Sequence, residues 1–412
     1  MMAQRDPYDI QRIIEDMVLA LIASMKRTFK RHIREEMKEG FRWDRWQFVL
    51  LRNLNRFRGQ NSRIIRVAFR EAERLTESVL RESFETGQRA AEQQIRQVMV
   101  GDRIAAAEVS GKVQIPIDEK PPPVPKGQKR PKIPYSQLPR AAPETQFFGL
   151  NERKLAALQQ SVVSDLMQAE YGVLRKMDDV YRQIIYRAQV NMTAGAKTLD
   201  QAIDMATKEF LERGIDSITY SDGRKVNIAS WAEMALRTAS QRATFLGEGK
   251  KRDEWGVYTV LMSAHDNCSP WCLPYQGKVM IDDVYTSITP EQAEQLAREH
   301  GVPRLSEAMR NGAFHPNCRH TLSTYFPGIS RLPEPVDDEA AVKLYKAEQY
   351  QRYIERNIRK YKRLAAGSLD EQNVQRYKNK VNEWSARLEE LLEAYPDLRR
   401  NRTREVDRTM VV

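Results

Sequence analysis

Three cysteines and a few histidines carry most of the chemistry legible in this chain. The segment His265-Asp-Asn-Cys268-Ser-Pro-Trp-Cys272-Leu-Pro-Tyr-Gln-Gly277-Lys278 is followed further on by His315-Pro-Asn-Cys318-Arg-His320. Zn²⁺ takes four soft or borderline ligands in a tetrahedron, commonly as two close pairs from separate segments. Cys268 and Cys272 form a Cys-x3-Cys pair, and Cys318 with His320 or His315 supplies the second. Pro270, Pro274 and Gly277 would let the first loop wrap a metal, and Pro316 the second. The expectation is a closed, structural zinc site drawn from Cys268, Cys272, Cys318, His320 and His315. No catalytic residue is assigned. The nearby carboxylates Asp266, Asp282 and Asp283 lack a spacing such as His-Glu-x-x-His, and nothing specific supports Cys272 with His315 as a nucleophilic pair. The plainer alternative is three buried cysteines and ordinary hydrogen-bonded or surface histidines.

The elements that must position these groups are mostly helical. Of 412 residues 41% are apolar and 30% charged, which favours long solvated helices over a compact β-protein. Residues 7 to about 109 read as almost continuous helix, with Ile13, Ile14, Met17, Val18 and Leu21 at three- and four-residue steps. From Pro116 to Pro143 nine of the 19 prolines cluster, which predicts a semi-rigid extended linker. A second helical run starts at Asn151. Thr198 with Gln201 signals a helix ending near Gly214, and Asp222-Gly223 within residues 218–228 signals a hairpin. Ser230 with Glu233 opens a helix towards Leu246, and Val257 to Met262 is strand-like. Helices over 338–366 and 369–394, parted by Gly367 and restarted by Ser368 and Glu371, predict an αα-hairpin. Gly247-Glu-Gly249 is too short to count as a phosphate loop.

The fold class is therefore mainly α, with long helices, αα-hairpins and a small α+β Cys/His-rich part containing short strands. The expected organisation is a basic helical domain over 1–110, a Pro-rich linker over 111–149 and a helical region over 150–254. A Cys/His-rich subdomain over 255–334 and a basic helical hairpin over 335–412 complete it. The odd cysteine count argues against a disulfide framework. The apolar stretch Met17 to Met25 is far shorter than the roughly 20 residues of a spanning helix. No small-residue cleavage site follows a short apolar core, so neither a membrane nor a secreted class is expected.

The net charge of +11 is uneven: +5 over 1–110, +4 over 111–149, −4 over 150–340 and +6 over 341–412. Arg42, Arg45, Arg52, Arg56, Arg58, Arg63, Arg66 and Arg70 face a single acid, Asp44, across Phe41 to Arg70. Phe41, Trp43, Trp46, Phe48, Phe57 and Phe69 interleave with them. Two readings stand: a contact surface for phosphate or carboxylate, or amphipathic helices with core aromatics and wet arginines.

At the cysteines the sequence resembles the phage minor head protein group, more narrowly phage minor capsid protein 2, related to the Mu F-like head morphogenesis proteins. The resemblance covers roughly residues 150–330. It is specific at Cys272-Leu-Pro-Tyr-Gln-Gly-Lys278 and His315-Pro-Asn-Cys-Arg-His320, and looser at Asp222-Gly-Arg and Trp231-Ala-Glu-Met-Ala-Leu-Arg-Thr238. It departs from the Mu F-like pattern in two places: Cys268 and Cys272 have three residues between them rather than two, and His320 stands for the final Cys. The resemblance implies a minor structural protein of a tailed-phage or prophage head. It would sit inside the head near the portal, assembled in the host cytoplasm, and act in procapsid assembly and DNA packaging or ejection. Implied partners are the portal protein and the major capsid or scaffold, with packaged DNA a further candidate; no membrane or small-molecule substrate is implied. The competing readings are a zinc-dependent hydrolase or nuclease carried with the head, and a DNA-binding protein acting through its basic helices.

Overall fold

The apolar periodicity of the sequence appears as long helices in the computed structural model, which describes residues 7–38, 43–98, 148–193, 199–213, 216–219, 225–327 and 330–400. In chain order these are α1 (Asp9–Lys38), α2 (Trp43–Val98), α3 (Phe148–Thr193), α4 (Leu199–Arg213), β1 (Asp216–Thr219), β2 (Lys225–Asn227) and α5 (Ile228–Trp255). Then come β3 (Thr259–Met262), β4 (Val279–Ile281), α6 (Pro290–His300), α7 (Leu305–Arg310), β5 (Leu322–Thr324), α8 (Asp338–Gly367) and α9 (Glu371–Ala394). The chain is mainly α with a small α+β part, as its composition implies. The Pro-rich linker, Thr198, Gly214 and the Asp222-Gly223 turn lie outside the described residues. Among those residues no helix is long and apolar enough to cross a membrane.

The chain forms two compact units, each assembled from separated stretches. The first comprises residues 1–76, 163–233 and 347–412 and the second 77–162 and 234–346, so the division falls inside α2, α3, α5 and α8.

In the first unit α1, α2 and α3 meet at Phe29, Phe57 and Tyr181, all fully buried. Their ring centroids stand 4.6 Å apart for Phe57–Tyr181 and 5.2 Å for Phe29–Tyr181. Large aromatics of this kind dominate the energetics of a helical core. The α8–α9 turn is anchored in this unit. Lys26 Nζ donates to the carbonyls of Ala366 and Ser368, both at 2.8 Å, which satisfies two orphan acceptors at a helix end. The Asp204 carboxylate accepts from Leu369 N at 2.7 Å and Asn373 Nδ2 at 3.0 Å. The helix restarts on Asp370, whose side chain caps Asn373 N, rather than on Ser368. Strands β1 and β2 pair antiparallel with Ile218 opposite Val226.

Helix α5 differs from expectation at both ends. Its cap is Asn227, whose Oδ1 accepts from Ala229 N at 3.1 Å, so it opens two residues before Ser230. It also runs on beyond Leu246, through Gly247 and Gly249, to Trp255. Gly256 (φ 64°) ends it, with Gly256 N bonding Asp253 O and Val257 N bonding Arg252 O, the paired bonds of a Schellman motif.

Those two glycines are packing devices of the second unit. A Cβ on Gly247 would meet Phe84 O at 2.0 Å, and one on Gly87 would meet Thr244 O at 2.1 Å. Helices α2 and α5 therefore cross with their backbones in direct approach, beside a Ser83–Ser240 hydroxyl pair at 2.7 Å. Gly249 lies equally close to the carbonyl of Tyr285. The sheet of this unit has the order β4-β3-β5, all antiparallel, and Val260, Leu261, Met262, Met280 and Ile281 in it are buried.

Candidate metal centre

The register of the sheet explains why two distant loops converge. Leu261 pairs with Val279 and Met262 with Leu322, so β4 and β5 both begin where β3 ends. The loop carrying Cys268 and Cys272 joins β3 to β4, and the loop carrying His315, Cys318 and His320 runs into β5. Both must lie at the same end of the sheet.

The first loop is folded on its own backbone. Cys272 N and Leu273 N donate to Ser269 O, Tyr275 N and Gln276 N donate to Cys272 O, and Gly277 N returns to Met262 O. Gly277 supplies the left-handed φ of 71° that the return requires. The second loop places Phe314 and Asn317 at positive φ (55° and 65°) and closes on Cys318 N to His315 O at 2.9 Å. Non-glycine residues in that region carry strain, which the surroundings must offset. Helix α5 does so: Thr238 Oγ1 accepts from Asn317 N, Arg237 donates to Asn317 Oδ1 at 3.1 Å, and Gln241 donates to His320 O at 2.7 Å.

Three of the five expected ligands come together. Cys272, Cys318 and His320 are buried, with one donor atom of each within 4.8 Å of the others. Cys272 Sγ lies 3.6 Å from Cys318 Sγ, and Cys318 Sγ 3.2 Å from His320 Nδ1. Zn–S bonds of about 2.3 Å and Zn–N bonds of about 2.05 Å give tetrahedral edges of about 3.8 Å for S–S and about 3.6 Å for S–N. The observed edges are close to those values, so the group can hold a tetrahedral metal.

The other two candidates border the trio. Cys268 Sγ lies 3.7 Å from Nε2 of His320, the opposite nitrogen from the one facing Cys318. His315 hydrogen-bonds the Ser269 hydroxyl through Nε2 at 2.7 Å and supports the Cys272 thiolate. Gln276 Oε1 stands 3.4 Å from His320 Nε2 and also accepts from His265 N. A ligating histidine is usually oriented by such a partner on its other nitrogen.

The electrostatics fit a cation. The hydrogen bond from Cys318 pulls the Cys272 thiol down, with His315 and His320 adding to it. That same bond and burial push Cys318 up. Burial, then the charge on Cys272, pushes Cys268 up to about 12, while burial and His320 lower His265. The Cys272 thiolate is thus favoured, while Cys268 and Cys318 are held towards the protonated thiol. A divalent ion would stabilise further thiolates there.

Sequence reasoning missed Gln241, Gln276 and Ser269 as supports. Arg237 and Thr238 close the loosely familiar Trp231–Thr238 stretch, but only the fold ties that stretch to the second loop. The expected arginines lie elsewhere, on α2 in the first unit. Arg52, Arg56, Arg58, Arg63, Arg66 and Arg70 are exposed, and Arg52 pairs with Glu35 at 2.9 Å. Phe57 and Phe69 are core. Arg42, and the side chains of Arg45, Trp43, Trp46 and Phe48, lie outside the described residues.

Residues 132–393, well over half of the chain, match the model of the family described as phage minor capsid protein 2. The chain belongs to that family. A curated relative, a structural protein of Lactococcus phage LL-H, is 25% identical over 187 residues, covering 44% of this chain and 48% of the relative. The chain thus spans about half the length of that relative. No solved structure matches. Family membership makes this a phage minor capsid protein, a component of the virion.

Proposed function

We propose that this minor capsid protein is a low-copy structural component of the head, held near the portal and acting in procapsid assembly and DNA packaging or ejection. Family membership over residues 132–393 is the observation that carries this reading. Its partners would be the portal protein and the major capsid or scaffold. The Cys/His centre is read as a structural zinc site. Cys272, Cys318 and His320 would supply three ligands, and Cys268 or His315 the fourth.

Burial supports a structural rather than a catalytic role. Cys272 and Cys268 are fully buried, so no substrate reaches the Cys272–His315 pair. Two of the nearby carboxylates are committed: Asp282 to Arg252 at 2.8 Å, and Asp283 to the backbone and hydroxyl of Ser306 at 2.8 and 2.5 Å. Neither is available as the general base of a hydrolytic zinc site.

Quantitative mass spectrometry of purified DNA-filled particles beside empty procapsids tests the proposal. A few copies per portal in both is the expected result. Absence from both overturns it and brings the enzyme and cytoplasmic DNA-binding readings forward.

A further inference from the structure

The arginines of α2 have an arrangement that their spacing in the sequence conceals. At about 100° per residue, Arg52, Arg56, Arg63, Arg66, Arg70 and Arg74 fall within about 40° of one line along the helix. All six are exposed. Leu54, Phe57, Asn61, Ile65, Ala68 and Ala72 occupy the opposite side and are buried. Arg58 falls outside the row. The acids between Arg52 and Arg74 are Glu71 and Glu73, both off the line, and Glu35 of α1 neutralises Arg52 alone. Arg56 to Arg74 therefore presents five cations as one straight, continuous row.

We propose that this row binds the phosphate backbone of duplex DNA without reading its sequence. It deepens the head-protein reading, and rests on that reading only for where the DNA is met. Three features favour DNA. From Arg52 to Arg74 the row is about 33 Å long, close to the roughly 34 Å of one duplex turn. The regular three-, four- and seven-residue steps suit a uniform linear polyanion better than the scattered carboxylates of a protein surface. Arginine also matches phosphate geometry through its planar fork of donors. Between Arg52 and Arg74 the two aromatics, Phe57 and Phe69, are buried in the core, so among the described residues no ring lies along the row to stack unpaired bases, which favours duplex over single strand.

Fluorescence anisotropy of the purified full chain with a labelled random-sequence 30-mer duplex, read across a salt series, tests this. Five phosphate contacts predict a slope of log K against log salt of about −4.5, or a loss of about 500-fold between 50 and 200 mM. The variant R56Q/R63Q/R66Q/R70Q/R74Q is expected to lose at least about 100-fold at 50 mM and most of the slope. A control replacing the exposed Lys343, Lys346, Arg376, Lys378 and Lys380 by Gln removes the same charge elsewhere, and is expected to keep most of the affinity. Far-UV circular dichroism and a thermal melt check that both variants are folded. The proposal is overturned if wild type does not bind, if both variants weaken equally, or if poly-L-glutamate binds as tightly as the duplex. The assay needs no particle, so failure here leaves the head-protein reading standing, and absence from particles leaves this contact standing.

Discussion

Cys272 Sγ stands 3.6 Å from Cys318 Sγ although 46 residues separate them in the chain. The antiparallel pairing of β4 and β5 to either side of β3 closes that interval. The same end of the sheet brings His320 Nδ1 to 3.2 Å from Cys318 Sγ.

Purified chain is expected to carry about one zinc per molecule by plasma mass spectrometry. Cys272→Ser and Cys318→Ser should abolish retention, whereas His265→Ala, whose Nε2 meets Ser263 Oγ instead, should not. Limited proteolysis of Cys318→Ser should cut first within residues 255–334 and spare the N-terminal helices. Zinc-free wild type with three freely titrating thiols would sink the metal reading.

Loss of the α5 supports should loosen the metal without removing a ligand. Gln241→Ala frees the carbonyl of His320, and Arg237→Ala frees the strained Asn317. Each is expected to weaken zinc about 10- to 100-fold in a chelator competition, the usual scale for an outer partner. Unchanged affinity in both would show that the second loop holds its shape unaided.

The glycines of α2 give opposite expectations along one helix. Gly87→Ala forces a Cβ to within 2.1 Å of a backbone carbonyl and should destabilise the second unit by at least about 2 kcal/mol. Gly59→Ala meets nothing within 4 Å and should stabilise by about 0.5–1 kcal/mol through helix propensity. Urea unfolding of both variants reads the difference directly.

A buried ionic cluster should make stability fall as pH rises. Arg252 is fully buried between Asp282 and Glu248. Burial raises Glu248 from 4.5 to about 7, partly opposed by Arg252, and raises Asp253 from 3.8 to about 6, partly opposed by Ser287. A carboxyl whose folded pKa lies above its unfolded one contributes stability below the unfolded value, and loses it as pH rises through the folded one. For Glu248 that window is 4.5 to about 7, and the loss is on the order of 3 kcal/mol. Glu248→Gln should therefore narrow the gap between melts at pH 5 and pH 8; an unchanged gap excludes Glu248 as its source.

Much of the architecture was legible because helical periodicity is local. The stripe Ile14, Met17, Val18 and Leu21 is buried as its spacing requires, and the α8–α9 hairpin breaks beside Gly367. Local rules carried α5 only towards Leu246, whereas it continues through Gly247 and Gly249 to Trp255. Glycine does weaken a helix, but here it is required by Phe84 O and Tyr285 O, atoms that no window around the glycines contains.

The sequence by itself determined the chemistry available to this protein. It set the scarcity and clustering of the cysteines, the loop-forming prolines and Gly277, the helix faces and the basic flanks, because each depends on residue type and short spacing. Only the tertiary structure decided which groups meet. Strand register places Cys272, Cys318 and His320 together, the α2–α5 crossing sets the glycines, and core burial turns Phe57 and Phe69 inward. These relations depend on pairing between distant segments, whose closeness is settled by the packing of the whole unit rather than by their neighbours in sequence.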